Sequence, residues 1–393
     1  MRAAKNCGNV GVRSGVVAPS QNIYDGARSR GVLVSSLLAM FGSACATGLG
    51  PKAVRNERPD YNQQIVRSAD AELLLNLVRL RYNESPLFLE LGSVVAQYSY
   101  DASLNAGGTF GGKDTGTVGT ALAYSEKPTV TYVPLAGEDF ATRMLTPIPL
   151  ESIMLFAQSG WSAERLLLVA VQQVNDVVNA PTAGGPTPAV QPRYEGFADF
   201  AERFHRLEAA GLVGLNWERR KNDTEPPGHA ARFWVRPPPD PDSPLAADLA
   251  AIRRYLDLEP GRDEFALISF PFERNPTELG IRCRSLLGVL YFLSTSVEPP
   301  APDVEAGLVT ITRDDDGRAF DWSKVTGKVM AIHSQKEAPT SAYVAVQHHG
   351  WWFYIAADDQ SSKATFSLVN ILFSLQAETG KGRSPLLTLP VGR

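Results

Sequence analysis

The sequence is short of the residues and spacings that usually announce chemistry. Its 393 residues hold only three cysteines and five histidines. No spaced cysteine pair, HExxH or GxSxG occurs, which removes the common zinc and serine-nucleophile patterns. No apolar run approaches the roughly 20 residues a membrane-spanning helix needs. No cluster of Lys or Arg is long enough to make a phosphate-binding surface. Residues 1–44 contain five bases and one acid, so of 38 bases and 42 acids the remaining chain keeps 33 and 41. That acidic balance argues against nucleic acid as a partner.

What is present begins with an address. Gly31 to Phe41 (GVLVSSLLAMF) is an uncharged stretch behind Arg28 and Arg30, followed by Gly42, Ser43, Ala44 and Cys45. A basic segment, a short apolar segment and small residues, in that order, make a secretory signal. Small residues before Cys45 resemble the bacterial lipoprotein signal, which implies lipidation of Cys45 and removal of residues 1–44. The family pattern favours Leu three residues before the cysteine, where this chain has Gly42. Ala44-Cys45-Ala46 also fits the small-x-small site of ordinary signal peptidase. Ala46, rather than Asp, after the cysteine implies the outer membrane, facing periplasm or surface; a soluble periplasmic or secreted protein is the alternative. With Cys7 removed and Cys45 acylated, Cys283 stands alone. In a helical pattern without an activating histidine, it reads as a small buried hydrophobe.

The composition and pattern predict an α+β fold, with mixed helices, mainly antiparallel strands and a long Gly-rich β-hairpin in the N-terminal half. Four segments are expected: signal peptide 1–44, tether 45–66, a helical domain with the hairpin at 67–180, and an α+β domain at 194–393. Ser68 to Arg81 has a capping serine, acids in its first turn and Arg79 and Arg81 in its last, with leucines around most of its circumference. Between Phe88 and Leu135 the period changes to two, interrupted by GGTFGGKDTGTVG. Helices are predicted at Ile148 to Gln158 and Ser162 to Val178, and Ala180 to Pro192 (APTAGGPTPAVQP) is the expected domain boundary. Phe197, Phe200, Ala201, Phe204 and Leu207 recur at helical spacing. Leu212 to Trp217 then pairs with Ala231 to Arg236. A helix at Leu245 to Leu258 and a strand at Glu264 to Phe270 follow. Asn275, Pro276 and Glu278 resemble a cap, a first-turn proline and a box-closing glutamate for a helix reaching Leu293. The remainder reads as strands at Val329 to Ser334, Ala342 to Gln347 and Trp351 to Ala356, a helix at Asp359 to Gln376, and a strand at Pro385 to Leu389.

Three segments invite chemical readings. Gly107 to Asp114 (GGTFGGKD) approaches a phosphate-cradling loop, but Asp114 stands where Ser or Thr would hold magnesium, so a hairpin tip is the better reading. His348 and His349 are adjacent, and on a strand they point to opposite faces, which excludes joint chelation of one ion. His205, His229 and His333 are scattered, and no metal ligand, catalytic group or cofactor site is assigned. Trp351 to Tyr354 is a dense aromatic strand, half of it expected in the core.

The segments LLLNLVRLRYNESPLFLE, LTPIPLESIMLFAQSGW and GWWFYIAADDQSSKATFSLVNILFSLQ resemble stretches of uncharacterised signal-bearing (lipo)proteins of Gram-negative bacteria, a likeness covering nearly the whole mature chain. The resemblance implies an envelope address and carries no activity or functional residue. The expected role is structural or partner-binding, with the membrane engaged through the lipid and an envelope protein or a second copy as partner. Two alternatives remain open: a hydrolase of cell-wall or polysaccharide substrate, and a subunit of an export or pore complex using the Gly-rich hairpin.

Overall fold

The computed structural model describes residues 49–109, 115–219, 229–269 and 276–377. The chain divides into two compact units, one of Met1–Asn62, Leu89–Val133 and Arg383–Arg393, the other of Gln63–Phe88 and Pro134–Gly382. Among the described residues no helix is long and apolar enough to cross a membrane. The signal segment, Cys45 and the strand expected at Pro385 to Leu389 lie outside them.

Helix α1 (Leu49–Arg81) begins in the first unit and ends in the second. The segment expected as a tether is therefore helical from Leu49 onward. Its polar residues, among them Arg55, Glu57, Arg58, Gln63 and Gln64, are good helix formers, and the helix carries Pro59 inside it. In the first unit, strands β1 (Leu89–Thr109) and β2 (Thr115–Pro134) form a two-stranded sheet. Residues 110–114 of the Gly-rich connection lie outside the described residues.

The second unit is α+β with mainly antiparallel sheets. After α2 (Glu138–Leu145), α3 (Leu150–Gln158) and α4 (Ala163–Ala170) come two short strands, β3 (Val171–Val174) and β4 (Val177–Val178). The helix predicted to run to Val178 thus stops eight residues early, where the valine-rich VAVQQV favours extended backbone. Helix α5 (Phe197–Ala209), strands β5 (Val213–Arg219) and β6 (His229–Val235), helix α6 (Pro244–Leu256) and strands β7 (Glu264–Ser269) and β8 (Glu278–Cys283) complete a six-stranded sheet of order β4-β3-β8-β7-β6-β5. Strands from both sides of the Pro/Gly loop at Ala180 to Pro192 share this sheet, so the loop lies inside one unit. The helix predicted from Asn275 is a second correction. Glu278 to Cys283 is a strand parallel to β7, with Leu279, Gly280, Ile281 and Cys283 buried. The helix α7 (Leu286–Ser294) starts only at Ser285, whose hydroxyl accepts from Gly288 N–H at 3.0 Å. Cys283 is therefore a buried strand residue, its thiol pushed up to about 12 by desolvation.

Short helices α8 (Ala301–Glu305) and α9 (Ser323–Thr326) precede a three-stranded sheet of β9 (His333–Gln335), β10 (Ala342–His348) and β11 (Trp351–Ala356), order β10-β11-β9. Helix α10 (Gln360–Ala377) follows. In β11, Phe353 and Ile355 are fully buried and the other aromatic rings are partly exposed.

Two interactions organise this unit. Helix α5 buries Phe197, Phe200, Phe204 and Leu207 on one stripe, and Phe204 stacks 5.9 Å from Phe233, which lies 6.2 Å from Phe265 on the sheet. Each such ring contributes roughly 1.5–3 kcal/mol of burial. Asp248 of α6 clamps the helix from outside, accepting from Arg203 at 2.6 Å and from Arg206 at 2.8 Å. The second interaction is Arg284, the largest fully buried side chain among the described residues. Its guanidinium donates to the carbonyls of Leu168, Val169, Val171 and Asn179 and lies 3.9 Å above the Phe292 ring. Burial lowers its pKa to about 9.

Replacing Arg284 removes a donor from four buried carbonyls; those of Leu168 and Val171 keep the Asn179 amide at 2.8 Å and 2.9 Å, and each carbonyl left without a donor costs about 1–3 kcal/mol. Arg284→Ala is expected to lose at least about 3 kcal/mol in urea denaturation, whereas the exposed control Arg318→Ala stays within about 0.5 kcal/mol. A loss for Arg284→Ala no larger than the control's would remove the organising role assigned to it.

Candidate functional site

The last turns of α1 are buried through Leu73, Leu74, Leu77, Val78 and Leu80, so the helix delivers its C-terminal end into the interior. It ends in a Schellman motif: Asn83 sits at φ 58°, Glu84 N–H donates to Arg79 C=O at 2.8 Å and Asn83 N–H to Leu80 C=O at 3.1 Å. Asn tolerates the left-handed conformation better than other non-glycine residues. This tight reversal aims four consecutive side chains, Arg81, Tyr82, Asn83 and Glu84, at different neighbours.

Arg81 is 3% exposed and donates from Nη1 to Thr310 C=O at 2.9 Å and to Thr187 Oγ1 at 3.4 Å, while its Nε has no hydrogen-bond partner. Among the described residues it has no carboxylate partner. Desolvation lowers its pKa to about 10, with Tyr82 opposing. It forms part of the wall of a cavity of about 230 Å³, together with Thr312, Phe320, Trp322, Ser323 and Met330. Trp322 Nε1 donates to Thr312 Oγ1 at 3.1 Å. Exposed Glu298 and Asp321 also border this space.

Tyr82 donates its hydroxyl to the buried Asp303 carboxylate at 2.5 Å. Burial first and Asp303 second push the phenol well above its ordinary pKa. Its ring stacks on His349 at 5.1 Å and meets His348 and Phe353 edge-on. Asn83 Nδ2 donates to Thr310 Oγ1 at 3.1 Å.

Glu84 reaches both histidines. His349 Nε2 lies 2.8 Å from Glu84 Oε1, and His348 Nε2 lies 3.2 Å from Glu84 Oε2. The second contact is close but not an aligned hydrogen bond, because His348 Nε2 is buried with no partner of good geometry. Burial opposes ionisation of Glu84, but the hydrogen bond from His349 and the two imidazoles outweigh it and hold the carboxyl below its usual range. His348 is shifted down by burial, against the pull of Glu84.

The expectation that His348 and His349 face opposite ways is corrected here. Only His348 belongs to the strand. His349 and Gly350 form the two-residue loop between β10 and β11, at φ 47° and 76°, the signature of a type I′ turn. The left-handed turn swings the second ring to the side of the first, leaving their centroids 4.3 Å apart. Gly350, in the short gap between the strands read at Ala342 to Gln347 and Trp351 to Ala356, was the signal that a turn lies here. Of the other histidines, His205 lies 3.7 Å from Glu208 and His333 lies 3.0 Å from Glu298. Asp314 to Asp316 form an exposed turn in which Asp314 accepts from the N–H groups of Asp316 and Arg318.

Comparison with known proteins finds no matching family model, no matching curated protein and no matching solved structure.

Removing the Tyr82 hydroxyl leaves the Asp303 carboxylate buried without that donor. Tyr82→Phe is expected to cost about 1–3 kcal/mol in chemical denaturation. An unchanged midpoint and slope would show that the pair contributes nothing to holding the corner.

Proposed function

We propose that the chain is an exported envelope protein, lipid-anchored through Cys45 at the outer membrane, with a structural or partner-binding role. The observation that carries this reading is the order of basic segment, short apolar segment and small residues immediately ahead of Cys45. The acidic mature body agrees with an extracytoplasmic protein that does not bind nucleic acid. In this reading the two long strands β1 and β2 are the arms of one Gly-rich hairpin, available to an envelope protein or to a second copy. A recognition role also accords with Arg81. A guanidinium stripped of water, without a carboxylate partner among the described residues and bordering a cavity with aromatic walls, is suited to an anionic group of a bound partner.

The test is the intact mass of the protein purified from its native membrane, beside a Cys45→Ser variant, together with its size in mild detergent. The expected result is a diacyl or triacyl addition on Cys45 that vanishes in the variant, with the chain in a defined assembly. An unmodified chain cut near Ala46 and recovered as a soluble monomer would overturn the proposal.

A further inference from the structure

We propose that Glu84, His348 and His349 form a binding site for a divalent transition-metal ion of the zinc type. Two imidazole nitrogens and a carboxylate meet here, with all ligand atoms within 4.8 Å of one another. Zinc with nitrogen and oxygen ligands at about 2.0–2.1 Å requires ligand atoms roughly 3.4 Å apart in a tetrahedron. The observed separations of 2.8 Å and 3.2 Å between Glu84 and the two histidines both fall short of that requirement, so the ligands would have to spread by less than about 1 Å to admit the ion.

Independent features of the site favour an ion over a simple hydrogen-bonded cluster. His348 Nε2 is buried beside the carboxylate yet makes no aligned hydrogen bond, so an electron pair or a proton there is left unmatched. Such an orphan, beside a carboxylate and a second imidazole, calls for a partner. The donors are also fixed before any ligand arrives. Glu84 is set by the Schellman turn, His349 by the I′ turn and the stacked Tyr82 ring, and His348 by its place in β10. Three protein ligands leave the fourth tetrahedral position to water or to a bound group, the arrangement of an open zinc site. Imidazole with one carboxylate is a donor set for Zn²⁺, Cu²⁺ or Ni²⁺ rather than for calcium or magnesium, which take oxygen ligands. The site stands on its own geometry, whether or not the chain is lipidated.

The experiment is Zn²⁺ titration of the tag-free full chain in mild detergent by calorimetry, with Co²⁺ absorption as a reporter of ligand geometry. One ion per chain is expected, with a tetrahedral Co²⁺ spectrum and a melting temperature that rises with Zn²⁺. Loss of a partner that merely orients a metal ligand costs about 10–100-fold in affinity, so Glu84→Gln and His349→Gln are expected to lose at least about 100-fold. His333→Gln, at the other histidine and glutamate contact, keeps the affinity of the unaltered chain. The melting shift of the unaltered chain tests the site even where a variant folds poorly, because only an ion bound to the folded state raises it. Absence of both heat and melting shift, or equal affinity in Glu84→Gln and His349→Gln, would overturn the site and leave a hydrogen-bonded cluster.

Discussion

Arg284 sets the constraint around which the larger unit is arranged. A guanidinium cannot shed its proton at ordinary pH, so once buried it must find acceptors for its donors. Here they are main-chain carbonyls from the end of α4, from β3 and from the residue after β4. Those carbonyls lie where α4 stops at Ala170 and the chain becomes extended, and the Asn179 side-chain amide also donates to those of Leu168 and Val171. The cation thus accounts for a helix that ends early and for the docking of β3 against β8, where Arg284 N–H also donates to Ala170 C=O at 2.8 Å. Phe292 closes the other face of the cation, tying α7 to the same point.

The end of α1 repeats that logic with a different outcome. Arg81 is also buried and also answered by backbone oxygen, and in both arginines Nε stays unpaired, but the surroundings of Arg81 include a cavity. One residue later Tyr82 meets Asp303, and two further on Glu84 meets the histidine pair. A single backbone reversal therefore brings a cation, a phenol, an amide and a carboxylate into distinct environments within four residues. Two left-handed residues on separate elements, Asn83 and His349, make the convergence of Glu84 with His348 and His349 sterically feasible.

Much of the fold was legible in the sequence where the pattern was periodic and local. The stripe of Phe197, Phe200, Phe204 and Leu207 is the buried face of α5, and the β10–β11 strands lie where alternation put them. Legibility failed where a segment was too short to fix its period. Val171 to Val178 (VQQVNDVV) and Leu279 to Cys283 (LGIRC) were read as helix, because apolar positions over so short a run fit either period. In both, tertiary pairing decided: β3 with β8, and β8 with β7. The capping signature at Asn275 to Glu278 was a local rule overridden by a parallel strand, while the working cap, Ser285, stood seven residues past Glu278.

By itself the sequence determined the acidic balance beyond residue 44, the mixed α+β character and the helical and strand stripes, since each depends on composition, order and period alone. Only the tertiary structure decided what the isolated polar residues do. Arg81, Glu84, Arg284, His348 and His349 are separated by long stretches of chain, and no spacing rule links them. Their partners are fixed by two tight turns and one buried charge, which act through distance and desolvation rather than through sequence order.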